Sequence, residues 1–311
     1  MPGWTAQDVP DQRGRTAVVT GANSGLGYVT ARELARAGAR VVLACRSEAR
    51  GAEAGDRIVA EVPGAEVAFR RLDLGDLASV VDFAAGFGRA YERLDLLVNN
   101  AGVMALPAGR TADGFETQFG VNHLGHFALT GLLYPQIADT PGARVVTVSS
   151  MVHALANIDL DDLNGDRQPY RKWIAYARSK TANLLFTHEL ARRLSRTGSR
   201  VVAAASHPGY ASTNLQAAGP RMAGRRGAER LTELANRVFA QSAEAGALPS
   251  LYAATAPGVA PDAFVGPSFA MWRGAPAPSW RASWTRDDRA GELLWAASRD
   301  LTGVAFDELK D

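Results

Sequence analysis

Ala17-Val-Val-Thr-Gly-Ala-Asn-Ser-Gly-Leu-Gly27 is the stretch whose reading decides the fold. Ala17 to Val19 is an apolar run of strand length, three glycines follow at once (Gly21, Gly25 and Gly27), and a helical pattern begins at Leu26. The order is strand, tight turn, helix start. Glycine reaches positive φ without a Cβ clash and lets backbone N–H groups approach a phosphate, while the helix N-terminus adds partial positive charge. Gly21, Asn23, Ser24, Gly25, Leu26 and Gly27 therefore read as a cradle for a pyrophosphate, spaced G-x3-G-x-G rather than the commoner G-x-G-x-x-G. A glycine-rich turn without a ligand is the plainer alternative.

Outward from this turn the chain alternates. A helix runs from Leu26 to about Ala37, and Gly38 ends it. Arg40 to Ala44 is a second buried strand. Strand, helix and parallel strand within about 30 residues make a right-handed βαβ unit. The same logic gives helices over Glu48–Glu61 and Asp76–Tyr91, strands over Glu66–Leu72 and Leu94–Val98, and a fifth strand over Arg144–Val148. A helix from about Ile174 to Leu194, a strand over Arg200–Ser206 and a last strand at Phe264–Pro267 complete the pattern. It predicts one α/β domain over residues 1–311: a Rossmann-type doubly wound parallel sheet of about seven strands with helices on both faces.

Such sheets hold ligands at the carboxyl ends of their strands. After the second strand comes Cys45-Arg46. An NAD site generally places a carboxylate there for the ribose 2′-OH, whereas a 2′-phosphate needs a cation, so Arg46 favours NADP(H) over a merely solvated arginine. Asp73 and Leu74 follow the third strand, with Asp73 either accepting from the adenine amino group or starting the next helix. Asn99, Ala101 and Gly102, in Asn99-Asn-Ala-Gly102, suit backbone support of the adenine ribose, although Asn and Gly also build ordinary turns. Ser150 ends the fifth strand, and Tyr176 and Lys180 stand at i and i+4 on the following helix.

Composition sets outer limits. With 311 residues, 47% hydrophobic and 21% charged, the chain buries a large core and is not disordered. A net charge of +2 is too small to argue for nucleic acid. Cys45 is the single cysteine, which excludes an internal disulfide and a cysteine metal cluster and fits a reducing, cytoplasmic setting. Neither an apolar leader nor a membrane-length apolar run is visible, so no membrane span is expected.

In order along the chain, Thr20-Gly-Ala-Asn-Ser-Gly-Leu-Gly27, Asn99-Asn-Ala-Gly102, Ser150 and Tyr176-Ala-Arg-Ser-Lys180 resemble the motifs of the short-chain dehydrogenase/reductase family. The likeness covers nearly the whole chain. Ala44-Cys-Arg46, Val121-Asn-His-Leu-Gly-His-Phe127, the gap from Ser150 to Tyr176 and His207-Pro-Gly209 look most like its retinol dehydrogenase and WW-domain oxidoreductase branch, from whose membrane-anchored members this chain departs in showing no leader. The resemblance implies that Asn122 supports Lys180 through a water. It also implies that Pro208 and Gly209 meet the nicotinamide carboxamide and that Lys180 and Tyr176 hold the nicotinamide end. Thr213 either contacts the cofactor phosphates or caps the next helix.

The residues themselves suggest the chemistry. A phenol near pKa 10 is a poor acid or base at neutral pH, and a neighbouring ammonium favours its ionised form. Tyr176 is thus expected to exchange a proton with a carbonyl or alcohol oxygen held by Ser150, with Lys180 lowering its pKa, as hydride moves to or from NADP(H). The partner is a small carbonyl or alcohol substrate. Ene reduction, as in the related protochlorophyllide reductases, and a non-catalytic NADP-binding sensor are the alternatives.

The remaining features are read more plainly. Asp159, Asp161, Asp162 and Asp166, in the inserted segment 151–175, form an acidic loop and no metal site, and the insertion is expected to wall the substrate. His123, His126 and His153 read either as substrate contacts or, more plainly, as satisfied structural histidines. Residues from about 210 to 245 form a candidate lid. Met271, Trp272, Trp280 and Trp284 close the pocket, pack, or meet a neighbouring subunit. Leu185 and Phe186 broaden the apolar face of the tyrosine helix, which means either homo-oligomer pairing through the long helices or deep burial in a monomer.

Overall fold

A computed structural model of the protein describes residues 3–209 and 241–309. Its centre is an eight-stranded sheet in the order β3-β2-β1-β4-β5-β6-β7-β8. The strands are β1 (Thr16–Thr20), β2 (Arg40–Cys45), β3 (Val67–Arg71), β4 (Leu96–Asn99), β5 (Arg144–Val148), β6 (Val202–Ser206), β7 (Phe264–Phe269) and β8 (Arg273–Pro278). All pair in parallel except β7 with β8, which is antiparallel. The expectation of about seven strands is corrected by β8. Its sequence, Arg-Gly-Ala-Pro-Ala-Pro, has no β-branched residue and two prolines, which only an edge strand tolerates.

Both faces of the sheet are covered, which explains the continuous apolar runs. Leu97 and Val145 face α3 (Leu77–Ala90), α5 (Gly125–Ala138) and α6 (Lys172–Arg196), where Phe83, Phe127, Leu133 and Phe186 complete one core. Leu96, Val98 and Val146 face the opposite way, against Leu34 of α1 (Gly25–Arg36), Ile58 of α2 (Glu48–Glu61) and Leu251 of α7 (Ala243–Thr255). Side-chain oxygens start three of these helices: Ser47 accepts from Arg50 N at 3.4 Å, Asp76 accepts from Ala78 N and Ser79 N at 3.1 and 3.4 Å, and Ser242 accepts from Ala245 N at 3.3 Å.

A last helix, α8 (Asp288–Thr302), packs on α6. The Trp295 ring lies 5.8 Å from that of Phe186 at an interplanar angle of 18°, and Leu294 packs in one cluster with Leu185. The apolar face that Leu185 and Phe186 broaden is therefore buried under the chain's own C-terminal helix. Among the described residues no helix is long and apolar enough to cross a membrane.

The strand order reverses between β1 and β4, because the chain leaves β1 toward β2 and β3 and returns to β4 on the other side. A crevice opens at such a switch point, at the carboxyl ends of the strands. Gly21, Asn100, Ser149 and His207 each follow a strand at that edge.

Candidate active site

At the end of β1 the turn is built on two left-handed glycines, Gly21 at φ +66° and Gly25 at φ +55°. A Cβ on Gly27 would stand 2.5 Å from both the Asn100 Nδ2 and the Gly21 carbonyl oxygen, so only glycine fits there. Ser24 precedes α1 with extended backbone, yet its side chain makes no capping bond. The first-turn N–H groups of α1 thus carry no side-chain cap, while those of α2 and α3 do. An uncapped helix start facing the crevice suits a pyrophosphate.

The end of β4 is tied to this turn. The Thr20 hydroxyl accepts from Asn100 N and Ala101 N, both at 2.9 Å, and Asn100 Nδ2 donates to the Thr20 carbonyl at 2.8 Å. The Asn99 side chain is buried, its Nδ2 donating to Thr130 Oγ1 at 3.0 Å. Arg46 is exposed beyond β2, and among the described residues no carboxylate pairs with it. Asp73 accepts from Gly75 N at 3.0 Å, and Asp76, not Asp73, caps α3. Leu74 is a core residue whose carbonyl oxygen would lie 2.4 Å from a Cβ on Gly125.

Ser150, Tyr176, Lys180 and Asn122 are brought together at the same edge. Ser150 caps a 3-10 turn, Met151–Leu155, its Oγ accepting from Val152 N at 3.2 Å, and its side chain stands beside the Tyr176 phenol and draws that group's pKa down. Both Tyr176 and Lys180 are buried. Lys180 Nζ lies 5.7 Å from the Tyr176 ring centroid and donates to the Val148 carbonyl at 3.0 Å. Burial pushes the phenol up to about 12, against a smaller downward pull from Ser150. It also pushes the ammonium down to about 8. The expectation that Lys180 lowers Tyr176 is therefore corrected: in the protein alone desolvation of both groups dominates, because the ammonium is held on a carbonyl and not on the phenol oxygen.

Asn122 sits in a π-turn, Gly120–Leu124, between the short helix α4 (Thr117–Phe119) and α5. Its Nδ2 donates to Val103 O and to Ser179 Oγ, both at 2.9 Å, and the Ser179 hydroxyl donates to the Tyr176 carbonyl at 2.8 Å. A Cβ on Gly102 would approach Asn122 Oδ1 to 3.2 Å and Lys180 Nζ to 3.6 Å. Gly102, Asn122 and Lys180 are thus neighbours although far apart in sequence.

These are the ordered parts found throughout one large family, and the sequence matches it, as short chain dehydrogenase, over residues 15–223. The chain belongs to the short-chain dehydrogenase family. It is 41% identical over 297 residues to retinol dehydrogenase 12 of Bos taurus, covering 94% of this chain and 88% of that one. A crystal structure of an uncharacterized protein from Mycobacterium paratuberculosis is 45% identical with a TM-score of 0.80, covering 98% of this chain and 99% of that one. A Beutenbergia cavernae structure described as a candidate NAD(P)-dependent gluconate 5-dehydrogenase, with NADP bound at low occupancy, is 29% identical with a TM-score of 0.60, covering 79% and 92%. Membership makes the chain an oxidoreductase that transfers hydride.

Within this short-chain dehydrogenase, Gly209 follows β6 at φ +65°, and a Cβ there would strike the Trp272 carbonyl oxygen at 2.2 Å. The β7–β8 hairpin, with Met271 and Trp272 at its turn, therefore closes on the Pro208–Gly209 segment. Gln241 donates to the Pro208 carbonyl from the other side. Thr213 and most of the expected lid, residues 210–240, lie outside the described residues.

The insertion divides its work. Met151–Leu155 stays beside Ser150, whereas Ile158, Asp159, Asp162 and Tyr170 line a cavity of about 320 Å³ shared with Ile174 and Arg178 of α6. At 100° per residue, Ile174 and Arg178 lie on the side of α6 away from Tyr176 and Lys180. That part of the insertion backs α6. The acidic residues are used locally: Asp162 accepts from Asp166 N and Arg167 N at 2.7 and 3.1 Å, and Asp166 pairs with Arg110. No metal-ligand cluster occurs among the described residues.

Thr20 and Ser179 join the site with no signal of their own in the sequence, and His126 takes a structural place in it. The His126 Nδ1–H donates to the Asn122 carbonyl at 3.0 Å, which leaves Nε2 to accept from the Thr20 hydroxyl at 2.9 Å. This joins the glycine turn to the π-turn. Thr20 and Ser179 were legible only as members of the quoted motifs.

Proposed function

We propose that the protein is an NADP(H)-dependent reductase of ketones or aldehydes, able to run in reverse as an alcohol dehydrogenase. The observation that carries this is the Ser150 hydroxyl beside a buried Tyr176 phenol, one helical turn from Lys180, at the sheet edge that ends in the uncapped start of α1. NADPH, when bound, supplies the hydride. The glycine turn and α1 would hold its pyrophosphate, Arg46 its 2′-phosphate, and Asn99, Ala101 and Gly102 its adenosine through backbone. Lys180 would hold the nicotinamide ribose, Pro208 and Gly209 the carboxamide, and Thr213 the phosphates. The whole chain is read as one domain serving this site in the cytoplasm.

Ser150 would hold the substrate oxygen, and Tyr176 would give that oxygen its phenolic proton. A phenol raised to about 12 carries its proton throughout the neutral range but is a weak acid, so donation needs a charge that offsets the phenolate. Lys180, at about 8, keeps most of its positive charge at pH 7 and offsets the phenolate left behind. The retinol dehydrogenase relatives support an alcohol or carbonyl centre, and the NADP of the Beutenbergia protein supports the cofactor.

The test is turnover of NADPH and of NADH over ketones and aldehydes of graded bulk, with product analysis. Carbonyl-to-alcohol conversion with NADPH preferred is expected. Binding of NADPH with no turnover on any carbonyl or alcohol would reject the reading.

A further inference from the structure

His153 is fully buried, three residues beyond Ser150, and both of its ring nitrogens are engaged. Nδ1 lies 2.7 Å from the Ser150 carbonyl oxygen, which also accepts from His153 N at 3.1 Å. On the far side of the ring, Ala282 N donates to Nε2 at 3.1 Å. A carbonyl only accepts and an amide N–H only donates, so one protonation state satisfies both partners: neutral imidazole with its hydrogen on Nδ1. Burial, the largest effect on this ring, favours the same neutral form.

The ring is fixed in other ways too. It meets Phe264 edge-on at 5.8 Å and lies 5.9 Å from the Trp280 ring. Its own carbonyl accepts from Thr181 Oγ1, on the helix that carries Tyr176, at 3.2 Å. Ala282 is anchored in turn, because its neighbour Arg281 pairs with Asp262, just ahead of β7. His153 is thus the strut between the serine turn, the catalytic helix and the C-terminal segment.

We propose that His153 is a positioning residue for Ser150, holding the serine turn against Ala282 so that the hydroxyl stays beside the Tyr176 phenol. The inference rests on the carbonyl-reductase reading above and adds the residue that sets its serine. Among the described residues Met151 of the same turn also packs with Phe264, but that contact is apolar and undirected; the Ser150 hydroxyl and Val152 N contact lies within the turn itself. Loss of the imidazole leaves the backbone bond to the Ser150 carbonyl but frees the turn to rotate, and a shift of about 1 Å at a reacting group costs up to about a hundredfold in rate.

The experiment uses the full chain with Ala and Gln at this position. His153→Ala is expected to lower kcat tenfold or more, with KM and NADPH affinity within about twofold of the parent. His153→Gln places an amide oxygen near the position of Nε2, able to accept from Ala282 N, and is expected to recover kcat to within about threefold. A merely structural role would lower NADPH affinity and kcat together and would show no rescue by Gln. Parental kcat in His153→Ala, equal loss in both variants, or loss of NADPH binding with kcat overturns the inference while leaving the parent reaction standing. A parent without carbonyl turnover overturns the reaction reading instead, and this inference with it.

Discussion

The Asn122 side-chain amide closes on the Val103 peptide from both sides: Oδ1 accepts from Val103 N at 2.7 Å and Nδ2 donates to Val103 O at 2.9 Å. Val103 follows Gly102, so this two-point clamp sets the loop after β4 against Lys180. Removing it with Asn122→Ala leaves a backbone donor and acceptor without partners, each worth about 1–3 kcal/mol if kept from water. Urea unfolding is expected to show a loss of about 2–4 kcal/mol, with turnover falling as well. Unchanged stability would show that the clamp is replaced at no cost.

Tyr176→Phe removes the phenolic proton and leaves the ring in place. Turnover is expected to fall by at least about a hundredfold, the ordinary contribution of a positioned acid. NADPH affinity, followed by quenching of protein fluorescence, should stay within a small factor. Substantial residual turnover would reject Tyr176 as the proton donor.

Arg46 is exposed beyond β2 and unpaired by any carboxylate among the described residues, so its guanidinium is available to a 2′-phosphate. A charge-assisted bond of this kind contributes about 1.5–3 kcal/mol, or about ten- to a hundredfold. Arg46→Asp removes the cation and adds repulsion, so the ratio of kcat/KM for NADPH over NADH should fall by at least that factor. A parent enzyme that already uses both equally would contradict the assignment.

His188 links α6 to the C-terminal segment, bonding Asp262 and Asp288, each at 2.8 Å. The bond to Asp262 is the main reason its pKa is raised, and burial opposes it. A raised folded-state value means the stabilisation is full below the unfolded value, about 6.5, and is lost as pH rises through the folded value. His188→Gln should therefore be less stable than the parent near pH 5.5, with the gap closing by pH 9 in thermal melts. A gap that widens with pH would reverse the assignment.

Trp295 of α8 stacks on Phe186 and lies edge-on to Phe127 at 5.1 Å. Trp295→Ala empties that contact and should destabilise the fold by about 3–5 kcal/mol, since the cover it provides is core and not surface. Denaturant unfolding at two protein concentrations checks this.

Much of the frame was legible because buried parallel strands leave a plain signature. The Val-Val and Leu-Leu runs of β1, β2, β4 and β5 and the glycine turn gave those strands to within two residues, and Glu48–Glu61 emerged with both ends correct. β8 was not legible because Arg-Gly-Ala-Pro-Ala-Pro carries neither alternation nor β-branching. Nor was the cover of α6 by α8, since Leu185 and Phe186 read alike whether a second chain or the same chain lies on them. In the site, residue types and their order were readable, but partners were not. The Thr20 bonds to Asn100 and Ala101, the placement of Ser179 between Asn122 and Tyr176, and the inward turn of Asn99 depend on how separate strand ends meet. The direction of the Tyr176 shift failed for a related reason: i,i+4 spacing places Lys180 on the same face but says nothing of the Val148 carbonyl that holds it.

Transfer of label from NADPH deuterated at the reactive C4 position to an α,β-unsaturated ketone tests the proposed chemistry most directly. Deuterium on the carbinol carbon, with the C=C bond retained and the label absent with Tyr176→Phe, is the predicted result. Deuterium on a carbon of the former C=C bond with the carbonyl intact, or label transfer that survives the loss of the phenol, would contradict it.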